Sequence, residues 1–182
     1  MWEANLAAFT ERLHRRLFGE RLVALLGGST LERLTLGGGL SRFLAAQQHE
    51  GRPLTEQLGG WLKEAEPLQG QRILCYHKSW TYLEERFGVR CADFVESKPG
   101  IPPTPRHVAS LVELMREGGV RVVLAETYFD RHKVDAVAER GGATAVVVPM
   151  QTGARPAQDD YFGLVDFWIG SLVRAIGAPA HP

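Results

Sequence analysis

The stretch that decides the fold is QRILCYHKSWTYLEERFGVRCADFVE, residues 71–96. It contains two short apolar runs, 72–76 and 89–95, separated by a segment in which apolar residues recur at helical spacing. Short apolar runs that alternate with amphipathic segments are typical of parallel strands joined by helices. Because His77 and Glu96 directly follow the two runs, the stretch predicts an imidazole and a carboxylate at the carboxyl ends of two strands.

The same alternation continues towards the end of the chain. Two further apolar runs, 120–125 and 144–148, are each followed by a segment of helical periodicity. The four predicted helices span residues 80–87, 107–117, 131–140 and 159–176. Four strand-then-helix units predict an α/β fold: a four-stranded parallel sheet with helices on both faces and right-handed crossovers.

The first 70 residues have a different pattern. Apolar residues recur every three or four positions over residues 2–26, which predicts one long amphipathic helix that ends at Gly27. From residue 31 onward glycines interrupt the helical pattern, which predicts several short helices. We therefore expect two parts, residues 1–70 and residues 71–182.

Composition excludes several classes of function. The chain has 182 residues, with 21 Lys and Arg against 21 Asp and Glu. A net charge of zero gives no electrostatic reason to expect nucleic acid or an anionic membrane as a partner. No apolar run approaches the roughly 20 residues of a membrane span. The residues after Met1 lack the basic and apolar regions of a signal peptide, so no export signal is expected.

The two cysteines, Cys75 and Cys91, leave two interpretations open. Their number and spacing fit neither a disulfide scaffold nor a zinc finger. Each lies in a predicted strand, where a cysteine is commonly a small buried apolar residue. If the two strands are neighbours, the Cβ atoms come close enough for a disulfide.

Polar residues follow every predicted strand at its carboxyl end. They are His77, Glu96, Glu126, Gln151 and Thr152. Ligands of open parallel sheets bind in the crevice beyond the carboxyl ends of the strands, so these residues are expected to converge there. Because imidazole and carboxylate groups bind Zn²⁺ and Mn²⁺, His77 and Glu96 are a candidate metal pair, with the other three as additional lining.

Spacing alone leaves other roles for the same side chains. His77 could cap the following helix while Glu96 pairs with Lys98. A small α/β enzyme could use His77 and Glu96 as an acid/base pair in an organic pocket. A fragment that binds no ligand and self-associates is the third alternative.

The other reactive side chains lack a supporting pattern. Ser79 has no GxSxG context, so it is expected to cap the helix that starts at residue 80 rather than to act as a nucleophile. His14 lies among arginines on the first helix and His107 at the start of a later one, and both are expected at the surface.

Four motifs resemble one protein family. They are HKSWTYL at 77–83, ESKPGIPPT at 96–104, VLAETYF at 123–129 and YFGLVD at 161–166. In order and spacing they resemble the carboxyl-terminal lobe of the zinc/manganese solute-binding proteins of ABC transporters. The resemblance implies two Rossmann-like lobes joined by one long helix, with a metal ion held between them. Residues 1–70 would be the joining helix with a glycine-interrupted insertion, and residues 71–182 the metal-receptor lobe.

The resemblance also implies a ligand set. His77 matches the histidine ligand of the second lobe, and Glu96 matches a position that supplies a glutamate ligand in some members. The late acidic ligand of the family would fall near Gln151 or Thr152, where no acid is present. The implied metal is Zn²⁺ or Mn²⁺, bound weakly or not at all by this chain alone.

The implied function is the metal-binding component of an ABC uptake transporter, here as the second lobe only and without enzymatic activity. The expected partners are the metal ion and, in the full-length protein, the ABC permease, in a periplasmic or extracytoplasmic location. The amino-terminal lobe is expected to be absent, so that the chain is truncated. An apolar stripe of Leu6, Phe9 and Leu13 would then lose its cover, and we expect a homo-oligomer formed through it.

Overall fold

The structure is a computed structural model that describes residues 2–96, 98, 100–154 and 158–177. The chain divides into two units, residues 1–64 and residues 65–182. The roles predicted for residues 1–70, as joining helix with an insertion, and for residues 71–182, as metal-receptor lobe, stay predictions. Ser97 and Pro99 of the second motif lie outside the described residues. None of the helices within the described ranges is long and apolar enough to cross a membrane.

The first unit is mostly helical, because its apolar residues recur at helical spacing. Its helices are α1 (Trp2–Phe18), α2 (Glu20–Leu26), α3 (Gly28–Leu36), α4 (Leu40–Ala46) and α5 (Gly60–Glu64). Between α4 and α5 lie the short antiparallel strands β1 (Gln48–His49) and β2 (Arg52–Pro53) and a 3-10 helix, Leu54–Gln57. Short helices separated by glycine-containing turns therefore follow the first helix, as predicted.

The predicted helix over residues 2–26 is two helices, so that prediction is wrong at its centre. Gly19 separates them with a φ of 87°, a left-handed value that favours glycine. A Cβ atom on Gly19 would lie 2.6 Å from the Cα atom of Gly59, and the Gly59 N–H donates to the carbonyl of Phe18 at 2.9 Å. The break depends on a backbone segment distant in sequence, which the local apolar pattern does not contain.

His14 is buried, so its predicted surface position is wrong. Its side chain is 8% exposed and packs against Gly28. Its Nε2 atom lies 3.2 Å from the carboxylate of Glu32, which gives the buried ring a hydrogen-bond partner.

The second unit is the predicted α/β fold. Its strands are β3 (Arg72–Cys75), β4 (Arg90–Phe94), β5 (Val122–Glu126) and β6 (Thr144–Val148), all parallel, in the order β4-β3-β5-β6. The helices that follow them are α6 (Thr81–Phe87), α7 (Pro105–Gly118), α8 (Arg131–Gly141) and α9 (Tyr161–Gly177), and a 3-10 helix, Glu66–Leu68, precedes β3. The four strand-then-helix units and the fold class are confirmed.

The sheet is buried from both sides. Leu74 and Val123 belong to one buried cluster with Leu111 of α7 and Val134 of α8. All five residues of β5 are buried, and α9 packs against β5 and β6. Burial on both faces explains why the strands are continuous apolar runs rather than alternating patterns.

Cys75 and Cys91 form a disulfide, with their Cα atoms 5.5 Å apart. The disulfide was predicted on the condition that the two strands are neighbours, and β3 and β4 are neighbours in the sheet. A bulge in the register of the two strands lies beside the disulfide. The disulfide joins the two strands that lead to His77 and Glu96.

His107 is half-buried, contrary to its predicted surface position. Its Nε2 atom lies 2.8 Å from the carbonyl oxygen of Phe94, at the end of β4. Its backbone N–H donates to the Thr104 hydroxyl at 3.2 Å, which caps α7. The start of α7 is therefore tied to the end of β4.

Candidate metal site

The backbone brings three predicted site residues to one rim of the sheet. Pairing continues beyond the strand ends, because the Tyr76 N–H donates to the Leu124 carbonyl at 2.7 Å and the Glu96 N–H donates to the Tyr76 carbonyl at 2.8 Å. His77 therefore follows the last paired residue of one chain segment, and Glu96 is the last paired residue of the adjacent one. Glu126 is the last residue of β5, the strand on the other side of β3.

His77 and Glu96 are in direct contact. The His77 Nδ1 atom lies 3.2 Å from the backbone carbonyl oxygen of Glu96 and 3.8 Å from its carboxylate. Because a carbonyl oxygen only accepts hydrogen bonds, we assign the proton of the neutral ring to Nδ1. The lone pair is then on Nε2, as it is in histidines whose other nitrogen is held by a backbone carbonyl while they bind a metal.

Among the residues that it describes, the structure contains neither the Glu96–Lys98 ion pair nor the helix caps that spacing alone left open. In the part of the chain that the structure describes, no ion pair joins Glu96 to Lys98. Helix α6 begins at Thr81 with Trp80 as its N-cap and has no side-chain cap. The predictions that His77 or Ser79 caps this helix are therefore wrong.

Glu126 is a fully buried carboxyl group. Neither of its oxygens has a hydrogen-bond partner within 3.5 Å among the described residues. Burial raises the pKa of the Glu126 carboxyl, and the nearby Ser79 hydroxyl, His77 ring and Tyr128 hydroxyl lower it by less. Burying an ionised carboxyl that has no hydrogen-bond partner costs free energy, unless the group binds a proton or a cation. Glu126 can therefore bind either one.

Three side chains near this rim were not predicted. They are Ser79, Tyr128 and Phe129. The Phe129 ring centroid lies 6.3 Å from that of His77 and 4.3 Å from that of Tyr76, so an aromatic group flanks the imidazole. Burial, followed by the charge of Glu126, raises the pKa of Tyr128. Tyr128 and Phe129 lie two and three residues after the end of β5. The position of the ETYF segment at a strand end was therefore the available signal.

Gln151 and Thr152 are exposed and lie in the loop after β6. That loop is held by the Trp168 Nε1–H, which donates to the Pro149 carbonyl at 2.7 Å. Over the described ranges, no hydrogen bond joins Gln151 or Thr152 to His77. Their role as additional lining stays a prediction.

The rim carries donor groups of types that bind metal ions. Its donors are one imidazole and two carboxyl groups, the types that Zn²⁺ and Mn²⁺ accept. Within the described residues, however, no group of three or more His, Cys, Asp or Glu is arranged to hold a metal ion. The residue types fit a divalent metal ion.

Comparisons with known proteins support the same family as the motifs. The family ZnuA, described as zinc-uptake complex component A periplasmic, matches residues 52–175. A search of curated proteins gave no match.

Among the solved structures that are similar in fold, two that are bound to manganese represent the likeness. One is a Mn-bound periplasmic metal binding protein from candidatus liberibacter asiaticus, with a TM-score of 0.50 and 16% identity over 64% of this chain and 44% of that one. The other is FpvC from Pseudomonas aeruginosa in complex with Mn²⁺, with a TM-score of 0.50 and 18% identity over 85% of this chain and 56% of that one. This chain therefore spans about half the length of the structures that it matches.

The family match covers more than half of the chain and includes all four strands of the sheet. The resemblance seen in the motifs is thereby confirmed. The chain belongs to the family of the periplasmic component A of zinc-uptake complexes.

Proposed function

We propose that this chain is the second lobe of the metal-binding component of an ABC uptake transporter, and that Zn²⁺ or Mn²⁺ is its cargo. The observation that carries the proposal is the rim at the carboxyl ends of β3, β4 and β5. There the Nε2 atom of His77 is available beside Glu96 and the unpartnered carboxyl of Glu126. An imidazole and two carboxyl groups at the ligand-binding edge of a parallel sheet suit a divalent transition metal.

Each rim residue has a distinct proposed role. His77 binds the metal through Nε2, since the Glu96 carbonyl orients the ring through Nδ1. The Glu96 carboxylate, half-buried and 3.8 Å from the ring, is the second proposed ligand. Glu126 supplies negative charge behind them, and Gln151 and Thr152 line the outer edge. With no acid at these last two positions, the remaining ligands come from outside this lobe.

We propose that the chain binds and does not catalyse. A His-Glu acid/base pair is the rival interpretation, but an acid/base pair needs an organic substrate held against it. The family to which the chain belongs is described as an uptake component, which favours a binding role. The expected macromolecular partner is the membrane permease of the same transporter.

The proposed location is periplasmic or otherwise extracytoplasmic. The family description supports this location. The Cys75–Cys91 disulfide supports it independently, because disulfides persist mainly in oxidising compartments.

We also propose that the chain self-associates through α1. Trp2, Leu6 and Phe9 are 77%, 49% and 41% exposed and are spaced as one stripe of the helix. Leu13, which the sequence places in the same stripe, is half-buried. Light scattering across a concentration series tests this proposal, and a monomer at every concentration would overturn it.

Metal titration of the isolated chain tests the main proposal. We expect binding of Zn²⁺ or Mn²⁺ that is micromolar or weaker in the monomer, because this lobe supplies only part of the shell. Replacing His77 by Ala should weaken binding by more than about tenfold, since loss of even an indirect metal contact costs that much.

His132→Ala is the matched control, because His132 is an exposed histidine at the start of α8. It should leave the affinity unchanged in the same calorimetric titration. A submicromolar site in the monomer, or equal losses in the two variants, would contradict the proposed site.

A further inference from the structure

The opposite end of the sheet carries a cluster of arginines. Arg72 is the first residue of β3, Arg90 is the first residue of β4, and Arg121 directly precedes β5. These three strands are adjacent and parallel, in the order β4-β3-β5, and Arg72 and Arg90 are register partners. Three guanidinium groups therefore start from one edge of the sheet, at the end away from His77.

Two of these arginines line a cavity. Arg72 and Arg121 lie around a volume of about 290 Å³ together with Gln71, Gly119, Val122 and Ile176. No carboxylate is among these lining residues. The volume is close to the lower limit of about 300 Å³ for small-molecule sites, so the cavity suits a small ligand or one end of a larger one.

The charge at this edge is not compensated by side chains. In the described part of the chain, Arg72, Arg90 and Arg121 form no ion pair and no side-chain hydrogen bond, whereas Arg131 donates to both oxygens of Asp135 at 2.8 Å. Like charges at directly opposed positions of neighbouring strands destabilise a sheet. An anion bound beside Arg72 would offset that repulsion.

The end of α7 compensates only a fraction of this charge. The Arg72 Nη1 atom lies 3.7 Å from the position that a Cβ on Gly118 would take, next to the last turn of the helix. A helix carboxyl end carries about half a negative charge. Three full positive charges exceed that, so the helix end does not account for the whole cluster.

We propose that the cavity between Arg72 and Arg121 binds a phosphate group. A guanidinium presents parallel N–H donors that match two oxygens of an oxyanion. A carboxylate is satisfied by one such fork, whereas a tetrahedral phosphate offers oxygens to two forks that approach from different strands. Arg90 adds long-range attraction from the register position beside Arg72.

The phosphate group has two sources, a soluble phosphate or the headgroup of an anionic phospholipid. Isothermal calorimetry with inorganic phosphate at low ionic strength tests the first. Co-sedimentation with phosphatidylglycerol vesicles, compared with phosphatidylcholine vesicles, tests the second. Saturable binding in either assay supports the site and identifies the source, and no binding in both overturns it.

Variants test whether the cavity holds the anion. Arg72→Gln and Arg121→Gln should each weaken binding by about tenfold, because each removes charge-assisted hydrogen bonds. The control is the double variant R106Q/K133Q, which removes two exposed charges from the first turns of α7 and α8. It should retain the affinity.

Two results would overturn the phosphate site. One is an equal loss in R106Q/K133Q, which would show a net-charge effect rather than a site. The other is equal competition by chloride and by phosphate, which would show an adventitious anion only. Circular dichroism and thermal unfolding of each variant establish that a loss of binding is not a loss of fold.

Discussion

The two ends of the sheet in the second unit differ in how their charged groups are held. At the carboxyl end His77, Glu96 and Glu126 are half-buried or buried, and His77 contacts both the backbone and the carboxylate of Glu96. At the amino end Arg72 and Arg90 are exposed and form no ion pair with the residues that the structure describes. Because the strands are parallel, His77, Glu96 and Glu126 lie at one end of the sheet and Arg72 and Arg90 lie at the other.

This difference has an energetic consequence. Charges at the carboxyl end have lost water, so each interaction there is strong and an unpartnered group is costly. Charges at the amino end keep most of their water, so their mutual repulsion is weak and depends on salt. Changes at the carboxyl end should therefore alter stability more than changes at the amino end.

The largest expected effect comes from the bond between the two strands that carry His77 and Glu96. The Cys75–Cys91 disulfide closes a loop with a sequence separation of 16. Replacing both cysteines by Ala should lower the free energy of unfolding by roughly 3 kcal/mol, chiefly because the unfolded chain gains freedom. Urea denaturation measures it, and the wild type reduced with dithiothreitol is the control for the cavity that Ala leaves at buried Cys75. A loss below about 1 kcal/mol in both would contradict the prediction.

Glu126 should show the next largest effect. Burial raises the folded-state pKa of Glu126 above the ordinary value of 4.5. At a pH between these two pKa values, the folded protein holds a proton that the unfolded chain has released. Glu126 therefore costs stability that is absent below pH 4.5 and grows as the pH rises through the folded-state pKa. Glu126→Gln should raise the free energy of unfolding at neutral pH by roughly 1–2 kcal/mol, with the gain disappearing in acid.

Urea denaturation of wild type and Glu126→Gln at a series of pH values measures this gain. Glu113→Gln, on the exposed side of α7, is the control and should show no such pH dependence. A constant difference between wild type and Glu126→Gln across the whole pH range would show that the buried carboxyl does not titrate as the structure implies.

The rim was predictable because strand polarity determines it. Apolar runs of strand length ending at His77, Glu96 and Glu126 require only that the sheet is parallel for these residues to share one edge. No pairwise spacing was needed. The same reasoning applies to the arginines, because Arg72 and Arg90 begin two of the same runs.

What the sequence did not show depends on contacts between distant segments. The break at Gly19 requires the backbone at Gly59 to approach it. The position of Ser79 near Glu126 requires β3 and β5 to be neighbours, although four strands can be ordered in several ways. The same strand order places β3 beside β4 and so brings Cys75 and Cys91 together, whereas the strand pattern alone left open whether they form a disulfide. Periodicity identifies elements and their ends, whereas adjacency is a property of the folded chain.

The smallest expected effect lies at the amino end. Arg72 and Arg90 are register partners, and removal of one relieves their repulsion. Arg90→Gln should raise the free energy of unfolding by about 0.5 kcal/mol or less at low salt. The gain should shrink at about 1 M salt, where the screening length falls to about 3 Å. Adding Arg72→Gln to this variant should raise the free energy of unfolding little further, because the first substitution already removes the repulsion between the two arginines.

Urea denaturation at low and high salt measures this coupling as a double-mutant cycle. Lys98→Gln, an exposed residue near the other end of the sheet, is the control for loss of one positive charge. If phosphate binds between Arg72 and Arg121, adding it should stabilise the wild type and not R72Q/R90Q, which lacks one arginine of that cavity. The gain from Arg90→Gln should then shrink, because the bound anion offsets part of the repulsion between Arg72 and Arg90. A gain that is independent of both salt and phosphate would mean that Arg90 acts through packing, and the contrast between the two ends of the sheet would then not be electrostatic.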